Sequence, residues 1–161
     1  MNAIVLSYEG FVGKSDKHLL KELCVYGVED GVLYHNGFKI SYCWKNQTSL
    51  QKQTNEWLLK NRHGLIWNSG CYRYSKQKGQ RILQEYRDRP LYAKGVESQK
   101  HLSLFFPGFY IQNLEDVGCT TNIRTLCKND TTACIYHNRL TADCAKQKAH
   151  ALAEWIKIHL A

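Results

Sequence analysis

The sequence is short of proline, has no long apolar run and contains no glycine-rich phosphate-binding loop. Its 161 residues include two prolines and eleven glycines without a low-complexity tract, which excludes collagen-like and disordered chains. A membrane-spanning helix needs about 20 apolar residues, and no stretch comes near that length. The apolar start is also too short for a signal peptide and lacks its cationic residues. We therefore expect a soluble intracellular protein that forms a single domain over residues 1–161 and does not bind membranes.

Positive charge is concentrated in one part of the chain. The formal net charge is +8, and residues 60–101 hold ten lysines and arginines against three acids. We call residues 60–101 the basic segment. Its cations are suited to neutralise phosphates, and the aromatic residues among them are suited to stack on unpaired bases. The candidate RNA contacts are Arg73, Lys76, Lys78, Arg81, Arg87, Arg89, Tyr72 and Tyr74, and Trp67 and Tyr86 are further stacking candidates.

This interleaving of cations and aromatic residues favours single-stranded RNA as the partner of the basic segment. The alternative is a solvated helix whose charges serve solubility. In that case the tyrosines and Trp67 would lie partly in the core.

The seven cysteines form an odd set in a chain without an export signal, which favours reduced thiols or metal ligands over disulfides. The strongest pattern is Cys134, then His137 after two intervening residues, then Cys144 at the start of the last predicted helix. The first two side chains can turn toward one ion, and the helix dipole favours a thiolate at Cys144. The alternative is a set of buried structural cysteines beside a loop histidine. A tetrahedral metal site needs a fourth ligand, and spacing alone leaves Glu22, Cys24, Cys119, Cys127 and His101 open.

The apolar periodicity and the turn signals predict an α/β fold, with a mixed sheet of about five strands flanked by helices. Three antiparallel strands come first, and Asp30-Gly31 marks a hairpin between two of them. A helix capped by Thr48 or Ser49 places Leu50, Trp57 and Leu58 near one face. The predicted strands cover 3–8, 19–26, 32–40, 91–94 and 110–114, with an extended piece at 65–70, and the predicted helices cover 48–61, 75–87, 98–105 and 143–160.

The order of these elements is similar to that of the DnaQ-like 3′–5′ exonuclease group of the RNase H-like fold. Such nucleases hold two metal ions through Asp-x-Glu on the first strand, a later Asp and a His-x4-Asp pair at the closing helix. In this chain Ser7 stands at the first acid, only Glu97 follows the later strand, and His137 is one residue too far from Asp143. We therefore expect the two-metal nuclease centre to be lost.

A domain of this group that has exchanged those acids for Glu, Cys, His and Cys resembles the Maelstrom domain of the animal Piwi-interacting RNA pathway. In that family an acid on the second strand joins a Cys-x2-His pair and a helix-borne Cys to bind zinc. The stretch Lys21-Glu22-Leu23-Cys24-Val25-Tyr26 fits the strand motif. The resemblance implies a structural zinc ion bound by Glu22, Cys134, His137 and Cys144.

The same resemblance implies a function in small-RNA silencing. The protein would bind single-stranded RNA through the basic segment, meet silencing-pathway proteins, and reside in cytoplasmic granules or the nucleus. Maelstrom-type domains are associated with cleavage of single-stranded RNA that does not need the lost acids. Weak endoribonuclease activity is therefore a further expectation, although no residue of this chain supplies a mechanism for it.

Two other functions fit the sequence. A divergent 3′–5′ exonuclease would use Glu9, Glu97, His137 and Asp143 with magnesium or manganese, although the closing helix carries Gln147 and Lys148 where an acid is needed. A catalytically dead scaffold would instead present its basic face, or an apolar patch, to another protein.

Overall fold

One mixed sheet of six strands runs through the protein. A computed structural model describes residues 2–70, 72–128, 134, 136–137 and 143–160, so Cys71 lies outside the described residues. The strands are β1 (Ile4–Val12), β2 (His18–Gly27), β3 (Gly31–Lys39), β4 (Tyr72–Arg73), β5 (Leu91–Ala93) and β6 (Ile111–Asn113). Their order is β4-β3-β2-β1-β5-β6. The pairs β1–β2 and β2–β3 are antiparallel, and the pairs β1–β5, β5–β6 and β3–β4 are parallel.

Helices cover both faces of this sheet. They are α1 (Ser49–Asn61), α2 (Lys76–Leu83), α3 (Val96–Phe105), α4 (Ile123–Leu126) and α5 (Ala145–His159). On one face, Leu152 of α5 packs in a core cluster with Val5 of β1. On the other face, Leu83 and Leu102 of α2 and α3 pack in a second cluster with Ile4. Within the described part of the chain, none of the helices combines the length and the hydrophobicity needed to traverse a bilayer.

The α/β class, the mixed sheet and the flanking helices are confirmed. The β2–β3 hairpin turns at Asp30-Gly31, where Gly31 has a φ of +85° that glycine adopts without strain. Thr48 caps α1 in a reciprocal arrangement. Its hydroxyl accepts a hydrogen bond from the Gln51 backbone N–H, and the Gln51 side chain accepts one from the Thr48 backbone N–H.

Three boundaries differ from the sequence-based expectation. The sheet gains a sixth strand because Tyr72 and Arg73 pair in parallel with the end of β3. The predicted extended piece at 65–70 is not a strand, and Leu65 forms only an isolated bridge, to His137. The basic helix α2 stops at Leu83, and a 3₁₀ turn over Gln84–Tyr86 follows it.

The inward face of α1 was predicted wrongly. Leu50 is 72% exposed and Trp57 is 55% exposed, whereas Asn55 is fully buried. The Asn55 amide bonds both backbone groups of Val12, accepting from its N–H at 2.8 Å and donating to its carbonyl at 2.9 Å. The helix therefore docks on the end of β1 through a polar contact that hydrophobic periodicity does not register.

A buried lysine fastens the loop after α1 to the sheet. Lys21 of β2 is 1% exposed, and its ammonium donates hydrogen bonds to the carbonyls of Phe38 at 2.8 Å, Trp67 at 3.1 Å and Ser69. Burial lowers the pKa of Lys21 to about 8. All three ammonium protons are used on backbone oxygen, so this charge has a structural role.

We expect Lys21→Met to lower the free energy of unfolding by about 2 kcal/mol, because buried carbonyls lose their donor and each unsatisfied group costs about 1 to 3 kcal/mol. Urea denaturation of both proteins measures the difference. The matched control is Lys39→Met, at an exposed position of β3, which should change stability by less than about 0.5 kcal/mol. Equal stability of the two variants would contradict the structural role of Lys21.

Candidate metal centre

Four side chains with metal-binding atoms converge where β2, the segment before α5 and the start of α5 meet. They are Glu22, Cys134, His137 and Cys144, and one ligand atom from each lies within 4.8 Å of all the others. Glu22 and Cys144 are buried, and the other two are partly buried. The structure thus brings together the four residues that the resemblance selected, and the group can hold a metal ion.

Glu22 occupies the centre of the cluster. Its carboxylate lies 3.0 Å from His137 Nε2 and 2.7 Å from His35 Nε2, and it accepts a hydrogen bond from the Ala145 backbone N–H at 3.0 Å. Burial opposes ionisation of this carboxyl group, but the hydrogen bonds from the two imidazoles outweigh burial and lower its pKa. Glu22 is therefore a buried carboxylate that is fully surrounded by donors.

The N-terminus of α5 supplies part of this environment. Cys144 is the N-cap residue, but its side chain makes no capping hydrogen bond. Glu22, on β2, caps the helix instead, because its Oε1 accepts a hydrogen bond from the Ala145 N–H, the first of the helix. The helix dipole favours negative charge at this position.

The two thiols are near the second oxygen of the Glu22 carboxylate, Oε2. Cys134 Sγ is 3.3 Å and Cys144 Sγ is 3.8 Å from Glu22 Oε2. The hydrogen bond with Cys134 and burial raise the pKa of the Cys144 thiol, which favours its protonated form. A metal ion would displace the thiol protons and reverse this preference.

The ring of His137 is oriented by a second histidine. His137 Nδ1 donates to the His63 carbonyl, which leaves Nε2 facing Glu22. His63 is itself fully buried, with Nε2 donating to the Gly10 carbonyl at 3.0 Å and Nδ1 accepting from the Leu65 N–H at 3.0 Å. Burial lowers the pKa of His63 to about 4, so it is neutral. A backbone carbonyl on the distal nitrogen is the usual partner of a metal-binding imidazole.

These donors fit a tetrahedral zinc ion. Zinc binds thiolate sulfur at about 2.3 Å and imidazole nitrogen or carboxylate oxygen at about 2.1 Å. Neighbouring ligand atoms in such a tetrahedron are about 3.3 to 3.8 Å apart. The ligand atoms of the cluster are up to 4.8 Å apart, so the most distant of them would have to move roughly 1 Å closer together to bind zinc. Four protein ligands leave no position for water, which is typical of a structural site.

His35 is the residue of the site that sequence reasoning missed. No spacing pattern in the sequence marks it as a ligand, yet its Nε2 lies 2.7 Å from Glu22 Oε2 and 3.6 Å from Cys134 Sγ. It stands opposite Cys24 in the β2–β3 pairing, on the same face of the sheet as Glu22. The hairpin at Asp30-Gly31 predicts that β3 lies beside β2, but the face of His35 also depends on a register shift between Val25 and Tyr26, which the sequence does not show.

The other ligands that spacing left open are elsewhere. Cys24 is buried in the core under α5, and burial raises its pKa. Cys119 lies in the same core, and Cys127 ends α4. His101 contacts the Tyr8 hydroxyl at 2.5 Å. None of these four belongs to the described cluster.

The residues of the exonuclease alternative do not come together. Glu9 is held by Lys148, with Nζ 2.5 Å from Oε1. The Glu97 side chain is 79% exposed and faces His101. Asp143 pairs with Arg62, and His137 belongs to the Glu22 cluster. Among the described residues, no group able to hold a metal contains Glu9, Glu97 or Asp143.

The cations of the basic segment have mixed environments. Arg73, Lys76 and Arg81 are exposed on β4 and α2, and Arg87 is exposed after α2. Arg89 is committed to the fold instead, because it pairs with Asp30 at 2.5 Å and donates to the carbonyl of Asn2. It is therefore poorly placed to meet a phosphate.

The predicted stacking residues separate in the same way. Tyr72 is exposed at the sheet edge, with the Lys78 ammonium 3.3 Å from its ring centroid. Tyr74 and Trp67 are less accessible than Tyr72. Tyr74 lies against the core with its hydroxyl donating to the Phe105 carbonyl, and Trp67 is 5% exposed. Tyr86 also packs against the core.

No protein-family model matches the chain, and no curated protein shows significant similarity to it. The class of the protein is therefore defined by its own geometry. It is an α/β protein with a Glu-Cys-His-Cys cluster that can bind a metal ion.

We expect His35→Leu to bind one zinc ion per chain about 10- to 100-fold more weakly, since loss of a residue that hydrogen-bonds a ligand has that effect. His137→Leu should abolish stoichiometric binding, because it removes a ligand. Competition with a chromophoric chelator measures both affinities. His159→Leu, at the far end of α5, is the control. Full retention of binding in His137→Leu with loss in His35→Leu would make His35 the ligand.

Proposed function

We propose that this protein is an RNase H-like domain of the Maelstrom type, stabilised by a zinc ion, that binds single-stranded RNA in small-RNA silencing. The convergence of Glu22, Cys134, His137 and Cys144 carries the proposal. Two thiols, one imidazole and one carboxylate form a donor set that suits zinc better than magnesium or calcium, which prefer oxygen.

The zinc ion would have a folding role. Its ligands come from β2, from the segment before α5 and from the N-cap of α5, so the ion would fix the last helix to the centre of the sheet. In that state His137 would keep its Nδ1–H on the His63 carbonyl and give Nε2 to the metal. The ion supplies binding energy that the folded chain alone would lack.

The order of the elements supports the RNase H-like assignment. Three antiparallel strands come first and, after α1, β4 and α2, the chain forms β5 parallel to β1, then α3 and the parallel strand β6, and after α4 it ends in the closing helix α5. This is the layout on which the resemblance rests. Ser7 stands at the first acid position of an exonuclease, only Glu97 follows β5, and α5 carries Gln147 and Lys148 where an acid is needed, which supports loss of the two-metal reaction.

The edge formed by β4 and α2 supports RNA binding. Arg73, Lys76 and Arg81 are exposed together with Tyr72, so phosphate-binding cations and a stacking ring share one edge of the sheet. RNA contacts from Lys78 and Arg87 fit the same proposal. Weak cleavage of single-stranded RNA and contact with silencing-pathway proteins remain parts of the proposal that rest on the resemblance.

We expect protein purified without chelator to contain one zinc ion per chain by elemental mass spectrometry. Cys134→Ala and Cys144→Ala should both lose the metal and unfold at lower temperature, because each removes one of four ligands. Cobalt substitution should give the visible absorption of a tetrahedral thiolate site in the unaltered protein.

The matched control for this experiment is Cys43→Ala, since Cys43 is an exposed thiol outside the cluster. It should keep the zinc content and the melting temperature of the unaltered protein. Well-folded protein without zinc, or equal loss of metal from all three cysteine variants, would remove the basis of the proposed function.

We expect the triple variant Arg73→Gln, Lys76→Gln, Arg81→Gln to bind single-stranded polyuridine at least about tenfold more weakly. Each lost phosphate contact should reduce the slope of log affinity against log salt by about 0.7, so the slope should fall by about 2. Fluorescence anisotropy at several salt concentrations measures both quantities. Duplex RNA of the same length should bind more weakly than the single strand.

A charge-matched control is the triple variant Lys17→Gln, Lys45→Gln, Lys157→Gln, which removes three exposed cations outside the basic segment. It should retain affinity within about twofold, apart from a small general charge effect. Equal losses in the two triple variants would contradict a localised RNA site. Absence of RNA binding, with salt-insensitive binding to a protein partner, would favour the scaffold alternative.

A further inference from the structure

A cavity of about 190 Å³ opens beside β1 and β5, under α5. Every charged side chain in its lining is cationic: Arg62 after α1, Lys94 after β5 and Lys148 on α5. Ser7 and Ser98 are also in the lining. A partly enclosed pocket whose lining contains three cations and no acid attracts an anion.

Each of these cations is paired with an acid that is not part of the cavity lining. Lys148 is paired with Glu9, Lys94 with Glu115 at 3.5 Å and Arg62 with Asp143 at 3.5 Å. None of these three carboxylates is in the lining of the cavity.

Two of the cations, Lys148 and Arg62, retain unused hydrogen-bond donors. The Lys148 ammonium donates to Glu9 and to the Tyr8 carbonyl, which leaves one of its three protons. Arg62 contacts Asp143 through Nε, so its two terminal nitrogens remain. Asp143 is also shared with Arg124 at 3.6 Å, so one carboxylate serves two guanidinium groups. The paired acids thus orient these cations without using all of the cations' hydrogen-bond donors.

The size of the cavity restricts the anion. A volume of about 190 Å³ is several times the roughly 30 Å³ that a water molecule occupies in the liquid, but it is smaller than the roughly 300 Å³ at which small-molecule sites begin. A tetrahedral oxyanion fits, whereas a complete nucleotide would have to leave its base outside.

We propose that the cavity lined by Arg62, Lys94, Lys148, Ser7 and Ser98 binds a single phosphate group. The group can be inorganic phosphate, the phosphate of a nucleoside monophosphate or the terminal phosphate of an RNA strand. In the last case the site rests on the proposed RNA binding and adds recognition of the strand end to it. The site is separate from the exposed cations of β4 and α2, and its lining contains no member of the metal cluster.

The test is calorimetric titration of the full chain, as purified, with inorganic phosphate and with adenosine 5′-monophosphate. Two RNA pentamers of one sequence, with either a 5′-phosphate or a 5′-hydroxyl group, form the second arm. Lys94→Gln should weaken phosphate binding about tenfold, since a hydrogen bond from a charged donor is lost. Lys94 is the best variant because its partner Glu115 is partly exposed, so removing the lysine leaves no buried charge.

Lys100→Gln, on the exposed surface of α3, is the control and should bind phosphate as the unaltered protein does. If Lys94→Gln is poorly folded by circular dichroism, Arg62→Gln replaces it, because Arg62 is half exposed. The proposal predicts that 5′-phosphorylated RNA binds more tightly than 5′-hydroxyl RNA and that Lys94→Gln removes this difference. If the two RNAs do not differ while phosphate binds, free phosphate is the ligand.

The site would be overturned if phosphate gives no binding at millimolar concentration, or if Lys94→Gln and Lys100→Gln bind it equally. Its failure is distinguishable from failure of the proposed function. Loss of polyuridine binding in the Arg73, Lys76, Arg81 variant with phosphate binding intact would leave both proposals standing as separate sites. Phosphate binding without any RNA binding would contradict the proposed function and keep the pocket.

Discussion

The carboxylate of Glu22 is the constraint around which this protein is built. It lies at the centre of the sheet with no exposure to water, and removing a carboxylate from water costs several kcal/mol even after relaxation. The structure offsets that desolvation with two imidazoles, one helix N-terminus and two thiols. The positions of α5 and of the Cys134 and His137 side chains follow from the need to surround one buried charge.

A second buried acid, Glu9, lies directly beside Glu22 and is neutralised in a different way. Glu9 of β1 faces Glu22 in the antiparallel pairing, so two carboxylates lie side by side beneath α5. Cys144 and Lys148 are four residues apart at the start of that helix, which places them on one face. The first contributes to the cluster around Glu22, and the second neutralises Glu9. One turn of helix therefore separates a site suited to a cation from a cavity suited to an anion.

The sequence revealed the local parts of this arrangement and missed the parts that depend on register and polar docking. The short spacing of the sequence pattern identifies Cys134, His137 and Cys144 as candidate ligands. Spacing alone did not select Glu22 as the fourth ligand, which came from the resemblance. His35 was overlooked since its contact follows from strand pairing. The inward face of α1 was misread because its contact with the sheet is the Asn55 amide and not an apolar stripe.

The distance along the chain between the ligands has a consequence for the order of folding. Glu22 and Cys134 are 112 residues apart, so closing a loop of that length is entropically unfavourable until the strands and helices between them have folded. Cys134 and His137, with only two residues between them, can meet an ion in the unfolded chain. If that pair bound a metal ion early, the bond from the ion to Glu22 would form only after the rest of the chain had folded. Complete coordination of the ion would then require that α5 has docked on the N-terminal strands.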